Sequence, residues 1–425
     1  MARIVLATIG SLGDLHPFIA IGRALVTQGE QVMLAVPEDC LATVKAAGLD
    51  AAPILPSYGT IRERLGMSAE EIAAKIIADT NFVVDEILMP SLGASTRALD
   101  ELANDADILA SSIFTLAAEI VAEKRRLPLA AVVLQPMTLF STWRPPTAPR
   151  FELMRHDPRT VIGRGWNRTL FSLARVMLRR RYAGRIDAVR GDHGLGAGDG
   201  APMLDHGPAT EAVVCCWSSI LGALPPDAPS NAALVGFPFF DSESGADDVL
   251  PPQLQAFLDE GDAPLVFTLG SVAVASAGRF YEEAAAASRA KGKRALLLTG
   301  QPGPPRLDGD CLFMSYAPHS VVFPRAAAVV HHGGIGTTGQ ALRAGCVQIV
   351  VPHFGDQFDN AARLQRAGLG LSIRREQFER TVAADAISRA LSAPNITDAA
   401  QRAAETIARE DGAAAAARSI ASLSQ

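Results

Sequence analysis

The chain predicts an α/β fold of two doubly wound, Rossmann-like domains, on three observations. Short apolar runs recur along it, amphipathic stretches separate them, and a proline-rich break divides them into two series. RIVLATI, QVMLAV, DILASS, AAVVLQ and AVVCC fall in the first half; PLVFTLGS, ALLLTG, CLFM, AAVV and VQIVVP fall in the second. Continuous apolar strands between helices are the pattern of parallel sheets covered on both faces. Two such series imply two doubly wound domains.

The break is LGALPPDAPSNAALVGFPFFD, Leu221 to Asp241, where prolines and small residues interrupt the periodicity. It places a linker at Pro225 to Gly236, with an N-terminal domain at 1–225 and a C-terminal domain at 236–425. The Ala-rich stretch Thr397 to Ser422 reads as a helical tail, and its last helix, from about residue 405, is expected to pack back on the first domain.

Composition limits the function. With 425 residues, 48% of them hydrophobic, the chain can bury two cores, and a net charge of −6 argues against nucleic-acid binding. Cys40, Cys215, Cys216, Cys311 and Cys346 are scattered without zinc spacing, which fits a reduced, cytoplasmic protein. MARIVLATIG lacks the features of a signal peptide, and no apolar run approaches the ~20 residues of a membrane span. One segment departs from the acidic average: residues 150–185 carry ten arginines against Glu152 and Asp157, with Trp166, Leu170, Leu173 and Met177 at helical spacing. It reads either as a solvated helix packing its stripe on the core or as a basic amphipathic surface for anionic lipid or an anionic acceptor. The second reading would place the protein peripherally at the inner face of the membrane.

The most informative stretch is HHGGIGTT, His331 to Thr338, between an apolar run and a helical segment. A strand entering a glycine turn and then a helix leaves amides unpaired at the helix start, a site for phosphate oxygens. Gly333, Gly334 and Gly336 permit close approach, Thr337 and Thr338 add hydroxyls, and His332 can donate a ring hydrogen. PHFGDQFDN follows the next strand, so Asp356 and Gln357 emerge at the same carboxyl edge with groups suited to sugar hydroxyls, or as an ordinary helix cap. SYAPHS follows CLFM and offers Tyr316 for stacking on a base and the backbone of Ala317 for its edge. TLGS ends another strand with Ser271.

PLVFTLGS, SYAPHS, VVHHGGIGTTGQALRAG and VVPHFGDQFDNAARL, in this order, resemble the donor domain of the family-1 nucleotide-sugar glycosyltransferases of GT-B fold. ATIGSLGDLHPFIAIGRAL and LQPMTLFSTWRPP match the first domain more loosely. With GFPFFD, the ensemble is similar to bacterial rhamnosyltransferases acting on hydroxy-fatty-acid lipids and to antibiotic glycosyltransferases. The resemblance implies two domains facing across a cleft, an N-terminal acceptor-binding domain at 1–225 and a C-terminal donor domain at 236–425 that takes a UDP- or dTDP-sugar. Tyr316 and Ala317 would hold uracil or thymine, His332, Gly334, Gly336, Thr337 and Ser271 the diphosphate, and Asp356 and Gln357 the sugar. Two positions depart from the pattern: Gln340 replaces a ribose-binding glutamate, and Val347 a proline.

Transfer needs a base for the acceptor hydroxyl and charge stabilisation for the leaving diphosphate. His332 and the helix amides meet the second need, so no metal or other cofactor is expected. In IGSLGDLHPF, Asp14 and His16 lie where the first strand ends, with Pro17 expected to begin a helix. Asp14 is the expected base, with a helix cap as its alternative role, and His16 the runner-up; direct displacement would invert the anomeric centre. Phe140 and Trp143, in TLFSTWRPPTAP, would form an apolar acceptor wall. Two other functions compete: a nucleotide-sugar epimerase of related fold and a non-catalytic nucleotide-sugar-binding module. A dinucleotide-dependent oxidoreductase is weaker, because GSLGD is not GxGxxG.

Overall fold

The computed structural model describes residues 1–425 except Ser11, Thr80, Asp157, Asp199, Glu243, 246–249 and Gln425, and except the side chains of Ser271 and Val272. The chain divides into two compact units. One comprises residues 1–66, 81–240 and 411–425, and the other residues 67–80 and 241–410.

The first unit holds a sheet of β1 (Arg3–Ala7), β2 (Gln31–Pro37), β3 (Asp50–Leu55), β4 (Ile108–Ser112), β5 (Leu129–Val133), β6 (Thr210–Cys215) and β7 (Ala232–Leu234), in the order β3-β2-β1-β4-β5-β6-β7. The described pairings are all parallel. Every residue of β4 and β5 is buried, as strands covered on both faces require. Because the chain builds outward from β1 to β3 and then returns to β4, the order reverses between β1 and β4. In open α/β sheets that reversal opens a crevice at the carboxyl ends.

The second unit repeats the design with β8 (Leu265–Thr268), β9 (Ala295–Leu298), β10 (Arg306–Asp308), β11 (Cys311–Met314), β12 (Ala328–His331), β13 (Gln348–Val350) and β14 (Gly370–Ser372), ordered β10-β11-β9-β8-β12-β13-β14. Here the reversal lies between β8 and β12, which pair in parallel with His331 opposite Thr268. Only β10 runs antiparallel among the described pairings.

Six helices matter below: α1 (Leu12–Thr27), α2 (Ala69–Ala78), α3 (Val161–Asp192), α4 (Ile335–Arg343), α5 (Gln357–Arg366) and α6 (Gly412–Ala421). Helix α2 belongs to the second unit although it interrupts the first in sequence. Its start carries a reciprocal cap, with Ser68 accepting from the Glu71 amide and Glu71 accepting from that of Ser68. Helix α6 packs its buried face, Ala416, Ala417 and Ile420, into the core of the first unit beside Phe18 and Ile21 of α1.

Several details differ from the sequence expectations. Part of the stretch Pro225 to Gly236 is not linker, because Ala232–Leu234 pairs with β6 and extends the first sheet. The Ala-rich tail is two helices, Pro394–Ile407 in the second unit and α6 in the first. Pro17 does not begin α1. The helix starts at Leu12 and Pro17 lies inside it, where its missing N–H leaves the Gly13 carbonyl without the usual partner.

Candidate active site

Both reversals carry the chemically distinctive residues. In the second unit, β12 ends at His331 and the chain turns through Gly333, with φ of 91°, and Gly334 into α4. The two histidines divide their tasks. His331 is saturated: its Nε2 meets Gln348 Oε1 at 2.9 Å and its Nδ1 accepts the Gly333 amide at 3.1 Å. This pairing requires the proton on Nε2, so His331 serves the turn itself.

His332 is buried but differently held. A β-carbon placed on Gly334 would sit 2.4 Å from its Nε2, and one on Gly270 would sit 2.6 Å from its Cε1. The ring is therefore wedged between two glycines from adjacent strand ends, and any side chain at either would evict it. Burial drives its pKa well below the ordinary imidazole range, with repulsion from His331, His353 and His319 adding to the effect. A neutral imidazole carries one N–H, and its buried Nδ1 has no hydrogen-bond partner.

Beside it, α4 begins after Gly334, an N-cap residue with no side chain to cap the helix, and the Ile335 amide turns to the Asp356 carboxyl instead. The first amide bonded back into the helix is that of Thr338, 2.9 Å from the Gly334 carbonyl. Gly336 is exposed, and a β-carbon there would meet nothing within 4 Å. Thr337 is buried beside it. The helix amides that follow Ile335, an open glycine and a neutral ring donor together suit anionic oxygens.

The next strand end is tied to this turn by Asn360. Its Nδ2 donates to the Gly333 carbonyl at 2.9 Å and to Asp356 Oδ2 at 2.7 Å. Desolvation pushes Asp356 up to about 6 against the opposing pull of Asn360 and the Ile335 amide. Gln357 uses its Oε1 for the amides of His353 and Phe354, at 2.8 and 3.1 Å. That leaves its NH₂ end, not its oxygen, to meet a ligand, which narrows the sequence expectation of acceptor and donor side by side. His353 bonds the Val351 carbonyl at 2.7 Å, and burial lowers its pKa to about 4.

Asp356 yields a test of its own. A carboxyl raised from ~3.9 in the unfolded chain to about 6 in the native state binds more protons when folded, so its contribution to stability is lost as pH rises between those values. Asp356→Asn should therefore melt higher than the parent at pH 7.5, by roughly 2–4 °C, with the gap closing toward pH 4. Differential scanning fluorimetry reads this; an unchanged or lower melting temperature at pH 7.5 would show that the carboxylate carries no native-state strain.

Tyr316 is half-buried and its hydroxyl donates to Asp241 Oδ1 at 3.2 Å; the other oxygen of Asp241 accepts the Ser320 amide. Asp241, the last residue of GFPFFD, thus ties down the SYAPHS loop, with Ala317 buried behind it. This loop follows β11, separated from β8 by β9. Ser271 stands in the short helical turn Gly270–Ala273, and its side chain lies outside the described ones. Gln340 is buried, its Oε1 without a partner, and Val347 is a core residue.

In the first unit, Asp14 lies in the first turn of α1, immediately past β1. A β-carbon on Gly10, whose φ is 119°, would come within 2.4 Å of Asp14 Oδ2. The carboxylate thus lies over the backbone of a residue that only glycine suits. His16 packs its ring edge-on to Phe240 at 5.4 Å.

The aromatic loop is held to α3. Phe140, at φ of 46°, meets Phe171 edge-on at 5.9 Å, and the Arg164 guanidinium lies 4.1 Å over the Trp143 ring. Asn167, fully buried, donates to the carbonyls of Thr142 and Arg155 and accepts the Arg155 amide. Asp227 accepts from Ser141 and from both the amide and hydroxyl of Thr142. Sequence reading missed Asp241, Asn360, Asn167 and Asp227. Of these, only Asn360 had a local signal, one helical turn beyond Asp356.

Comparison with known proteins shows the family and the fold. A model of the erythromycin biosynthesis protein CIII-like C-terminal domain matches residues 303–422. The O-mycaminosyltylonolide 6-deoxyallosyltransferase of Streptomyces fradiae is 31% identical over 96% of this chain and 94% of its own. A sterol 3-beta-glucosyltransferase of Arabidopsis thaliana is 26% identical over 98% of this chain and 65% of its own. Among solved structures, a spinosyn rhamnosyltransferase complexed with thymidine diphosphate shares the fold, with a TM-score of 0.66, 20% identity and coverage of 98% and 99%. The chain belongs to the family-1 nucleotide-sugar glycosyltransferases of GT-B fold. It is an enzyme, a glycosyltransferase that uses a nucleotide sugar.

Proposed function

We propose an inverting hexosyltransferase that moves glucose or rhamnose from a UDP- or dTDP-sugar to a hydroxyl of a hydrophobic small molecule or lipid. One observation carries the reading: a neutral, glycine-wedged His332 beside the start of α4, where the first amide bonded back into the helix is that of Thr338, at the chain reversal of the second sheet. His332 and the amides of Gly336 and Thr337 take the diphosphate, with Ser271 beside them. Asp356 and the Gln357 amide take the sugar, and Tyr316 and Ala317 the base.

Asp14 accepts the proton of the acceptor hydroxyl as that oxygen attacks the anomeric carbon. The bond to the diphosphate breaks on the opposite side, so configuration inverts, and its charge passes to the His332 N–H and helix amides without a metal ion. Phe140 and Trp143 contribute an apolar wall for the acceptor.

The spinosyn rhamnosyltransferase bound to thymidine diphosphate supports dTDP and rhamnose, and the sterol enzyme supports glucose and an apolar acceptor. Relatives named as transferases weigh against the epimerase and non-catalytic readings. Five free cysteines, four of them buried, fit the reducing cytoplasm. Calorimetry with UDP, dTDP, UDP-glucose and dTDP-rhamnose tests the donor site. Micromolar binding of one nucleotide series is expected; indifference to all four would overturn the assignment. Nucleotide release only when an acceptor is present separates transfer from epimerisation.

A further inference from the structure

Helix α3 is 32 residues long, about 48 Å, and carries six large apolar side chains into solvent, Val161 at its first position and five others that form a stripe. Ile162 is 86% exposed, Met177 70%, Leu173 56% and Trp166 47%, with Val176 alongside. At 100° per residue these five fall within an arc of about 100°. The inward face is accounted for separately by Asn167, Phe171 and Tyr182, all buried. Of the two sequence readings of this segment, the stripe packed on the core is the one the structure corrects: Trp166, Leu173 and Met177 face out and only Leu170 is half-buried, because Phe171 and Tyr182 fill the core instead. The Trp166 indole N–H is already used by the Leu153 carbonyl at 2.8 Å, which brings the exposed Leu153 to the edge of the same stripe.

The stripe is bordered mainly by arginines, with Asp85 paired to Arg181 on one side. Arg168 and Arg179 flank one side, Arg180 ends it and Arg181 flanks the other; all four are exposed. Residues 150–185 hold ten arginines against two acids, one of which, Asp157, is outside the described residues, in a chain whose net charge is −6. Some of this charge is spent internally, as in Arg175 with Asp205 at 2.7 Å and Arg181 with Asp85 at 2.5 Å. A second copy meeting this face would bring like charges together, and a convex helical ridge offers a peptide no groove. A plane of anionic headgroups over acyl chains matches both the apolar ridge and its basic borders.

We propose that the outward face of α3 docks the enzyme on the surface of an anionic lipid bilayer, with Ile162, Trp166, Leu173 and Met177 entering the acyl boundary and the flanking arginines at headgroup level. This does not rest on the acceptor being a lipid, and its test uses neither donor nor acceptor. The full chain is mixed with extruded vesicles of phosphatidylcholine and phosphatidylglycerol, about three to one, and with pure phosphatidylcholine vesicles, then floated through a density gradient. Flotation on the anionic vesicles is expected, weakening as salt rises. Ile162→Ser/Leu173→Ser/Met177→Ser should lower the partition coefficient roughly 100-fold, and Arg168→Glu/Arg180→Glu at least about tenfold. Both variants alter only exposed positions, so each should keep the parental melting temperature and nucleotide affinity. Failure of the parent chain to float on anionic vesicles would overturn the proposal, as would equal flotation of both variants. So would a concentration-dependent dimer, dissolved by the serine variant, in a parent that ignores vesicles.

Discussion

Asp14→Asn should lower the turnover number for sugar transfer by roughly 10²–10⁴-fold, the range spanned by general-base catalysis, while leaving nucleotide affinity unchanged. The substitution keeps the size and hydrogen-bonding reach of the side chain and removes only its capacity to take a proton. The nucleotide-binding residues proposed above all belong to the other unit, so a mere folding defect would appear as a lost melting transition and not as a pure turnover loss. His16 is the competing base. Its ring is packed edge-on against Phe240, and His16→Ala should cost far less than Asp14→Asn. Steady-state kinetics on the two variants, with nucleotide titration as control, decide between them; full turnover in Asp14→Asn would move the role to His16.

His332→Ala should cost roughly 10²–10³-fold in turnover, the usual effect of deleting one preorganised donor to a developing negative charge. It should also weaken nucleoside diphosphate binding about tenfold or more, because a hydrogen bond to an ionised group contributes ~1.5–3 kcal/mol. Since burial holds its pKa well below the ordinary imidazole range, His332 is already neutral at pH 7 and acts as an uncharged donor in the parent enzyme. Gly334→Ala supplies an independent check. A β-carbon there occupies the space of Nε2, so the ring must leave although it is still present in the chain. Turnover close to that of His332→Ala is expected, and parental activity in Gly334→Ala would show that ring placement is irrelevant.

The four strands that sequence reading missed are β3, β7, β10 and β14, and these are the four edges of the two sheets. Edge strands are covered on fewer sides and need no continuous apolar run. DAAPIL tolerates Pro53 because an edge need not donate every amide, RLD is exposed throughout, and AAL and GLS are three-residue fragments. The interior strands were legible because burial on both faces forces an unbroken apolar segment. Local turn chemistry was legible for the same kind of reason: HHGGIGTT advertises a glycine-led helix start in consecutive residues. The partners that set its geometry were not. Asn360 reaches Gly333 across 27 positions, and Asp241 reaches Tyr316 across 75, separations at which no periodicity or spacing speaks. Two adjacent histidines also look alike in one dimension, and only the Gln348 and Gly333 contacts mark His331 as the structural member.

Helix α6 has a consequence for biosynthesis. Gly412 lies so close to Phe237 that a β-carbon would fall 2.5 Å from its carbonyl, and Ala416, Ala417 and Ile420 complete a core begun by Ile4 and Leu6. Residues 241–410, which complete the second unit, are all translated before that helix exists. The unit that starts the polypeptide is thus the last to close. Until the ribosome has delivered α6, the nascent amino-terminal half lacks the apolar face that Ala416, Ala417 and Ile420 supply to its core.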